Sequence, residues 1–242
     1  MSAVKQGWIG LSLAALIMAA WVCLHVLGVF FLDLTHPPLS ILLSILWIAG
    51  LTWLSVGMYI VAHDAMHGSL WPANRKGGEK IGALAVWLYA GFSFQRLLPR
   101  HHSHHRHPGS VDDPDFAPDT PSRALAWYGR FLTTYFGLRE TVIMLVRVSL
   151  YMLLGAKVEN IVLFFALPGI LSSFQLFYFG TFLPHRHSHG ADQAHFADRH
   201  NTRSNEFGYL LSLLTCFHFG YHHEHHVQPG MPWWRLPAAR RK

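Results

Sequence analysis

Charge is what this sequence has least of. Only 13% of its 242 residues are Asp, Glu, Lys or Arg, about half the roughly 25% of an ordinary soluble domain. None lies between Lys5 and Asp33, between Asp33 and Asp64, or between Glu159 and Arg186. Uncharged runs of that length suit a bilayer, which takes about 20 residues of helix to cross. They exclude a water-soluble enzyme and a disordered chain. Cysteine is nearly absent too: Cys23 and Cys216 sit in apolar stretches without a CxxC pair, which removes disulfide scaffolds and zinc ribbons. Both read as buried small hydrophobes. No HExxH occurs, and no glutamate has a histidine three residues on. Neither a zinc protease nor a carboxylate-rich di-iron bundle is therefore encoded. The formal charge of +6 comes without an aromatic-interleaved basic patch, so no nucleic-acid partner is expected. On a membrane protein such a balance reports cytoplasmic loops.

What is present is apolar surface, 51% of the residues, and nineteen histidines. The run from Trp8 to Phe31 is too long for a signal-peptide core of roughly 7–15 residues and reads as a membrane helix. The prolines at 37 and 38 cannot continue it, so a turn precedes the return run Leu39 to Ala62. A polar loop, Trp71 to Lys80, leads into Ile81 to Leu98. That run is apolar but flanked by histidines at both ends, which favours an interfacial or re-entrant segment over a crossing. A second hairpin follows, with the short Thr141 to Ala156, which contains Arg147, and then Ile161 to Leu183, interrupted by Pro168-Gly169. The expected fold is all-α and integral to the membrane. It is a single domain with spans at about 8–32, 39–62, 141–156 and 161–183, interfacial helices, and a histidine-rich cap from 63–140 and 184–242. Seventeen of the nineteen Lys and Arg lie on the side of that cap and both termini, which the positive-inside rule makes the cytoplasm.

Seventeen of the nineteen histidines fall on the same side; only His25 and His36 do not. His63 and His67 form an i,i+4 pair, neighbours on a helix surface. His101, His104 and His105 are spaced HxxHH, and His222, His225 and His226 repeat the pattern. Positions i, i+3 and i+4 share one helical face, so each box can present its rings together. Eight imidazoles would close two tetrahedral zinc sites with no open position, whereas catalytic zinc keeps three ligands and a water. Imidazole also suits iron, and two irons left open to dioxygen fit the set best. At the cytoplasmic ends of membrane helices, such a pair would oxidise a lipid-soluble hydrocarbon. A histidine-rich metal transporter is the rival from another class, but transport needs polar ligands inside the spans, and these are almost absent.

Several segments around the boxes are more specific. His63-Asp-Ala-Met-His67-Gly-Ser-Leu-Trp71, Arg100-His-His-Ser-His-His-Arg-His-Pro-Gly109 and Asp113-Pro-Asp-Phe116 resemble the bacterial β-carotene ketolases of the membrane fatty-acid desaturase/hydroxylase superfamily. So do Phe179-Gly-Thr-Phe-Leu-Pro-His-Arg186, Cys216-Phe-His-Phe-Gly-Tyr-His-His-Glu-His-His226 and Pro232-Trp-Trp-Arg-Leu-Pro237. The resemblance runs from about residue 57 to 237. It implies a bacterial inner-membrane monooxygenase that uses two irons, dioxygen and an external donor of the ferredoxin type. Its reaction would oxidise ring C4 and C4′ of β-carotene to ketones, giving echinenone and canthaxanthin, and astaxanthin from zeaxanthin. A carotenoid hydroxylase or a fatty acyl desaturase of the same superfamily is the nearest alternative.

Carried over by position, the resemblance assigns metal binding to His63, His67, His101, His104, His105, His222, His225 and His226. It adds His185 as a ninth ligand outside the boxes, with His218 as its competitor. Asp64, Asp113, Asp115, Asp198 and Glu224 are candidates to hold ring tautomers by hydrogen bonds, or else are solvated loop charges and caps. His102, His107 and His223 lie off the ligand face, and His187, His189, His195 and His200 read as loop histidines. Trp233 and Trp234 read as an interface anchor. Phe174, Phe177, Tyr178 and Phe179 read as packing, with a polyene groove as the alternative.

Overall fold

The computed structural model describes residues 1–35, 39–187 and 196–240, apart from the side chains of Leu39 and Ser40. His36, Pro37 and Pro38 of the expected first turn, and His189 and His195 of the loop, lie outside the described residues. The architecture is helical, with no strand among the described residues. Two long helices open it, Ala3–Phe30 (α1) and Leu39–Met66 (α2). The segment between them and the next long helix holds Arg75–Ala90 (α3), Phe94–Arg106 (α4), Ala124–Tyr135 (α5) and Leu138–Leu153 (α6). Val158–His185 (α7) is the third long helix. Tyr209–Cys216 (α8), His222–Val227 (α9) and Leu236–Arg240 (α10) complete the chain.

Three of these, α1, α2 from Ile41 and α7, are long and apolar enough to cross a membrane. The span expected over 141–156 falls in α6, whose 16 residues rise about 24 Å. It is shorter than the roughly 30 Å hydrocarbon core, but with the residues before it α6 takes the chain from the histidine end to Asn160 at the far end of α1. The α3–α4 pair, bent by 102°, is the other candidate for a fourth span. It leaves from His67 and returns to His101, whose Nε2 atoms lie 2.6 Å apart. A segment that begins and ends at one place re-enters rather than crosses, as the flanking histidines predict.

Arginine makes that bend affordable in apolar surroundings. A helix end leaves backbone carbonyls without partners, and within a bilayer no water replaces them. Arg147 Nη1 and Nη2 donate to Leu88 O and Trp87 O at 2.7 and 2.9 Å. Arg139 Nη1 donates to Gly91 O at 2.9 Å, where Gly91 turns the chain at φ +68°. The charge that made residues 141–156 look like a poor span is thus spent on the end of a neighbouring helix.

Close packing of α1 against α2 and the turn that follows it sets the remaining frame. A Cβ at Gly10 would stand 2.3 Å from Leu70 O, and one at Gly28 would stand 2.8 Å from Trp47 Nε1. Asn160 at the start of α7 donates to Gly28 O and Leu32 O, at 3.0 and 2.9 Å, and so caps α1. The core lies along α2, where Val56, Met58, Ile60, Val61 and Ala62 are fully enclosed. Cys216 is buried, but Cys23, also expected inside, is exposed on α1; small size did not commit it to the core.

The break expected at Pro168-Gly169 takes the form of a π-helical turn, Val162–Ala166, just before Pro168. A second, Tyr178–Phe182, precedes Pro184. Proline has no N–H to complete the i→i−4 ladder, and the wider turn absorbs the mismatch without ending the helix. Phe177 and Phe182 from this region pack with Phe116 and Trp127 in a small aromatic core. That is the packing role read for Phe177.

Candidate metal centre

Three elements end at one place. His63 and His67 close α2, His101, His104 and His105 lie in the last turns of α4, and His185 ends α7. The short α9 brings His222, His225 and His226. Nine ring nitrogens sort into two groups, each with all its ligand atoms within 4.8 Å of one another. One group is His63, His67, His101, His105 and His225; the other is His104, His185, His222 and His226. The groups abut, since the His105 and His226 rings stack at 4.3 Å.

The partition follows a rule of helix geometry. Each i,i+4 pair stays together: His63 with His67, His101 with His105, His222 with His226. The histidine between, His104 or His225, crosses to the other group. Successive residues turn by about 100° around a helix, so His104 and His105 point to opposite sides of the seam.

Ring nitrogens are placed nose to nose. His104 Nε2 lies 3.1 Å from His226 Nε2, which is also 3.1 Å from His222 Nε2. His105 Nε2 and His225 Nε2 are 3.0 Å apart. A neutral imidazole carries one N–H, so a cluster of facing nitrogens cannot all be paired as donor and acceptor. A cation between them resolves the conflict. His185 supplies a sharper test. Its Nδ1–H donates to Asn201 O at 2.8 Å, which leaves Nε2 as a bare lone pair, buried and without a hydrogen-bond partner. An unpaired buried acceptor is costly unless a metal takes it. The donor set fits two metal ions, and five imidazoles exceed the four that zinc accepts in its usual tetrahedron.

Burial keeps these rings in the ligating form. It pushes the His67 pKa down to about 3 and that of His105 to about 2, with neighbouring histidines adding repulsion. His101, His222, His225 and His226 are held well below 6.5 for the same reasons. His104 is the exception. Burial opposes its charge, but the Asp113 carboxylate outweighs this and lifts its pKa. Its Nδ1–H donates to both Asp113 oxygens at 3.0 Å, aiming Nε2 at the other rings. Asp113 is itself anchored by the backbone N–H of Gly109 and of Asp115, each at 2.8 Å.

The other carboxylates are placed differently. Asp115 lies 3.8 Å from His104 Nδ1; burial raises its pKa to about 6, and the Tyr135 hydroxyl donates to it. Asp64 stands 3.8 Å from His63 Nδ1 and accepts the Trp233 N–H at 3.3 Å, which ties the tail to α2. Asp198 accepts from His223 Nε2 at 2.9 Å, and Glu224 accepts from Ser204; neither is bonded to any of the nine rings. His218 is fully buried between Tyr209, Tyr221 and Trp233 but joins neither group. His102 donates to Met66 O at 3.3 Å and also lies outside both. Sequence reasoning did not find Tyr135 or Asn201. Neither carries a motif, and each reaches the site only through the packing of a loop or of α5.

The fatty acid desaturase family matches residues 36–157 and 136–242, which together span most of the chain. The chain belongs to that family. Among its relatives, the β-carotene ketolase of Paracoccus sp. (strain PC1) is 50% identical over 234 residues, 96% of this chain and 93% of that protein. The β-carotene ketolase of Paracoccus sp. (strain N81106 / MBIC 01143) is 51% identical over 227 residues, covering 93% and 90%. A zeaxanthin 4-ketolase of Chlamydomonas reinhardtii is 35% identical over 240 residues, 96% of this chain but 53% of that longer protein. All three boxes lie inside the part that matches the desaturase family.

Proposed function

We propose that this chain is a β-carotene 4-ketolase, an oxidoreductase that converts the ring C4 methylene to a ketone. One observation carries the reading: about half of all residues are shared with the two Paracoccus ketolases over nearly the full length of both partners. Two irons would be held by the nine imidazoles, five in one pocket and four in the other. Bound there, iron supplies the reductive activation of dioxygen needed to break the allylic C4–H bond and install a hydroxyl. Each hydroxylation consumes one dioxygen, two electrons and two protons, and releases one water. A second hydroxylation at the same carbon gives a gem-diol, which loses water to the ketone.

The chain's own groups prepare that chemistry. Asp113 and the Asn201 carbonyl hold the protons of His104 and His185 on Nδ1, so that Nε2 faces inward. Burial excludes water and keeps the other rings neutral. Phe219 covers the apolar side, with its ring 4.5 Å from that of His63. The centre sits at the ends of α2 and α7, where an oily ring arrives from the bilayer while the basic face meets a ferredoxin-type donor in the cytoplasm. Both termini lie on that cytoplasmic side of the bacterial inner membrane.

Expression in a β-carotene-accumulating bacterium, followed by pigment analysis, tests this. The expected products are echinenone and canthaxanthin, with about two irons per purified chain. Products hydroxylated only at C3 would make it a hydroxylase. A well-expressed, iron-loaded protein yielding no ketocarotenoid would overturn the proposal, and exchangeable zinc in place of iron would support the transporter.

A further inference from the structure

The ligand atoms of each histidine group lie within 4.8 Å of one another, so the length of the proposed substrate cannot lie among them. A carotenoid with a ring at each end is about as long as the hydrocarbon core is thick, roughly 30 Å. The arm that is not reacting must lie along the helices. We propose that it lies in an apolar groove of about 600 Å³ between α2, α7 and α8, a reading that rests on the ketolase function above.

The groove is lined by Ile45, Ala49 and Trp53 of α2, Leu171 and Gln175 of α7, and Leu214 of α8. Each of its three walls ends in histidines of the centre. Ten residues separate Trp53 from His63 and Gln175 from His185, about 15 Å at 1.5 Å per residue. Ile45 lies eighteen residues from His63, about 27 Å. The groove therefore covers the distal half of a molecule whose first ring is at the histidines. On the third wall, α8 leads through Phe217 and Phe219 to His222.

Its surface suits a flat hydrocarbon. The polar ends of Trp53 and Gln175 are turned away, donating to the carbonyls of Leu213, Leu214 and Thr215. Trp53 stacks on the buried Phe217 at 4.4 Å, and Phe219, also buried, packs on His63 at 4.5 Å. Ile45 and Leu214 are more than half exposed, so the groove opens sideways to lipid. A polyene can load without crossing water, and can leave and re-enter reversed for its second ring.

Ala49→Trp tests this by filling the groove at an exposed position. Iron-loaded protein purified without oxygen should retain at least about fivefold less β-carotene, read by visible absorbance. With oxygen, KM for β-carotene should rise about tenfold while iron content stays at the wild-type value. One-ring substrates with progressively shorter polyene arms should show a progressively smaller penalty. Leu171→Trp, from the opposite wall, should reproduce the effect and serves if the first variant does not fold. Leu150→Trp, on the exposed face of α6, should match wild type. If both groove variants retain β-carotene and keep the wild-type KM, the groove holds lipid and the proposal fails. Were wild-type protein to yield no ketocarotenoid at all, the ketolase reading itself would fail, a result distinct from a groove-only failure.

Discussion

The two histidine pockets are built from the same side chain and secured by different means. The four-ring pocket is braced from outside: Asp113 fixes His104 and the Asn201 carbonyl fixes His185. Among the described residues, the five-ring pocket has no carboxylate within hydrogen-bond distance of its rings; the nearest is 3.8 Å from His63. It has instead one more imidazole and two i,i+4 pairs, one at the end of α2 and one on α4. Redundancy of ligands does for one pocket what orientation by neighbours does for the other. A pocket of four has no ring to spare, and two of its rings are aimed from outside.

The largest expected effect comes from breaking this balance directly. His185→Ala leaves three rings in the braced pocket and should lower iron from about two to about one per chain, with activity down at least about 100-fold. His67→Ala leaves four in the other pocket and should retain more metal. Metal analysis of both proteins compares the pockets, and equal losses would mean that ligand number does not distinguish them. Asp113→Asn should come next. It keeps an acceptor near His104 but removes the charge, and a fall of about 10- to 100-fold in activity or metal affinity is expected. Asp64→Asn, whose carboxylate is not bonded to a ring, should cost less.

Acidity offers a milder probe. In the unfolded chain the histidines take up protons near pH 6.5, while in the folded, metal-free protein His67 stays neutral to about pH 3 and His105 to about pH 2. Their contribution to stability is present above pH 6.5 and declines as pH falls toward those values. His104, raised by Asp113, contributes in the opposite sense, below pH 6.5, but is outnumbered. The Tm of metal-free protein in detergent should therefore fall steadily from pH 7 to pH 5, and Asp113→Asn should steepen the fall. The smallest effect is expected from His223→Ala. It lies within the third box, yet among the described residues its ring hydrogen-bonds to the surface carboxylate of Asp198 and to none of the nine rings, so stability should change by less than about 0.5 kcal/mol and iron not at all.

How much of this could be read from residues alone differs between fold and site. The long runs ending at Phe31, Ala62 and Leu183 correspond closely to α1, α2 and α7, because a charge-free run of that length has few other stable states. The run at 141–156 was the least legible, since hydropathy registers Arg147 as a stray charge but not that Arg139 and Arg147 serve the carbonyls of α3. Box spacing placed rings on common faces. It could not choose between His185 and His218, which are both buried. Only packing brings the first into the four-ring group and leaves the second among aromatics.

By itself the sequence determined that the chain belongs in a membrane and that imidazole, not carboxylate, supplies most of the donor atoms. Both follow from composition and from periodicity along one helix, which are local properties. The tertiary structure decided that the nine rings divide five and four, that the i,i+4 pairs remain intact, and that His104 and His225 cross between groups. Neighbouring positions on a helix diverge by about 100°. Which pocket a ring enters therefore depends on the helix packed opposite it, which no single segment encodes.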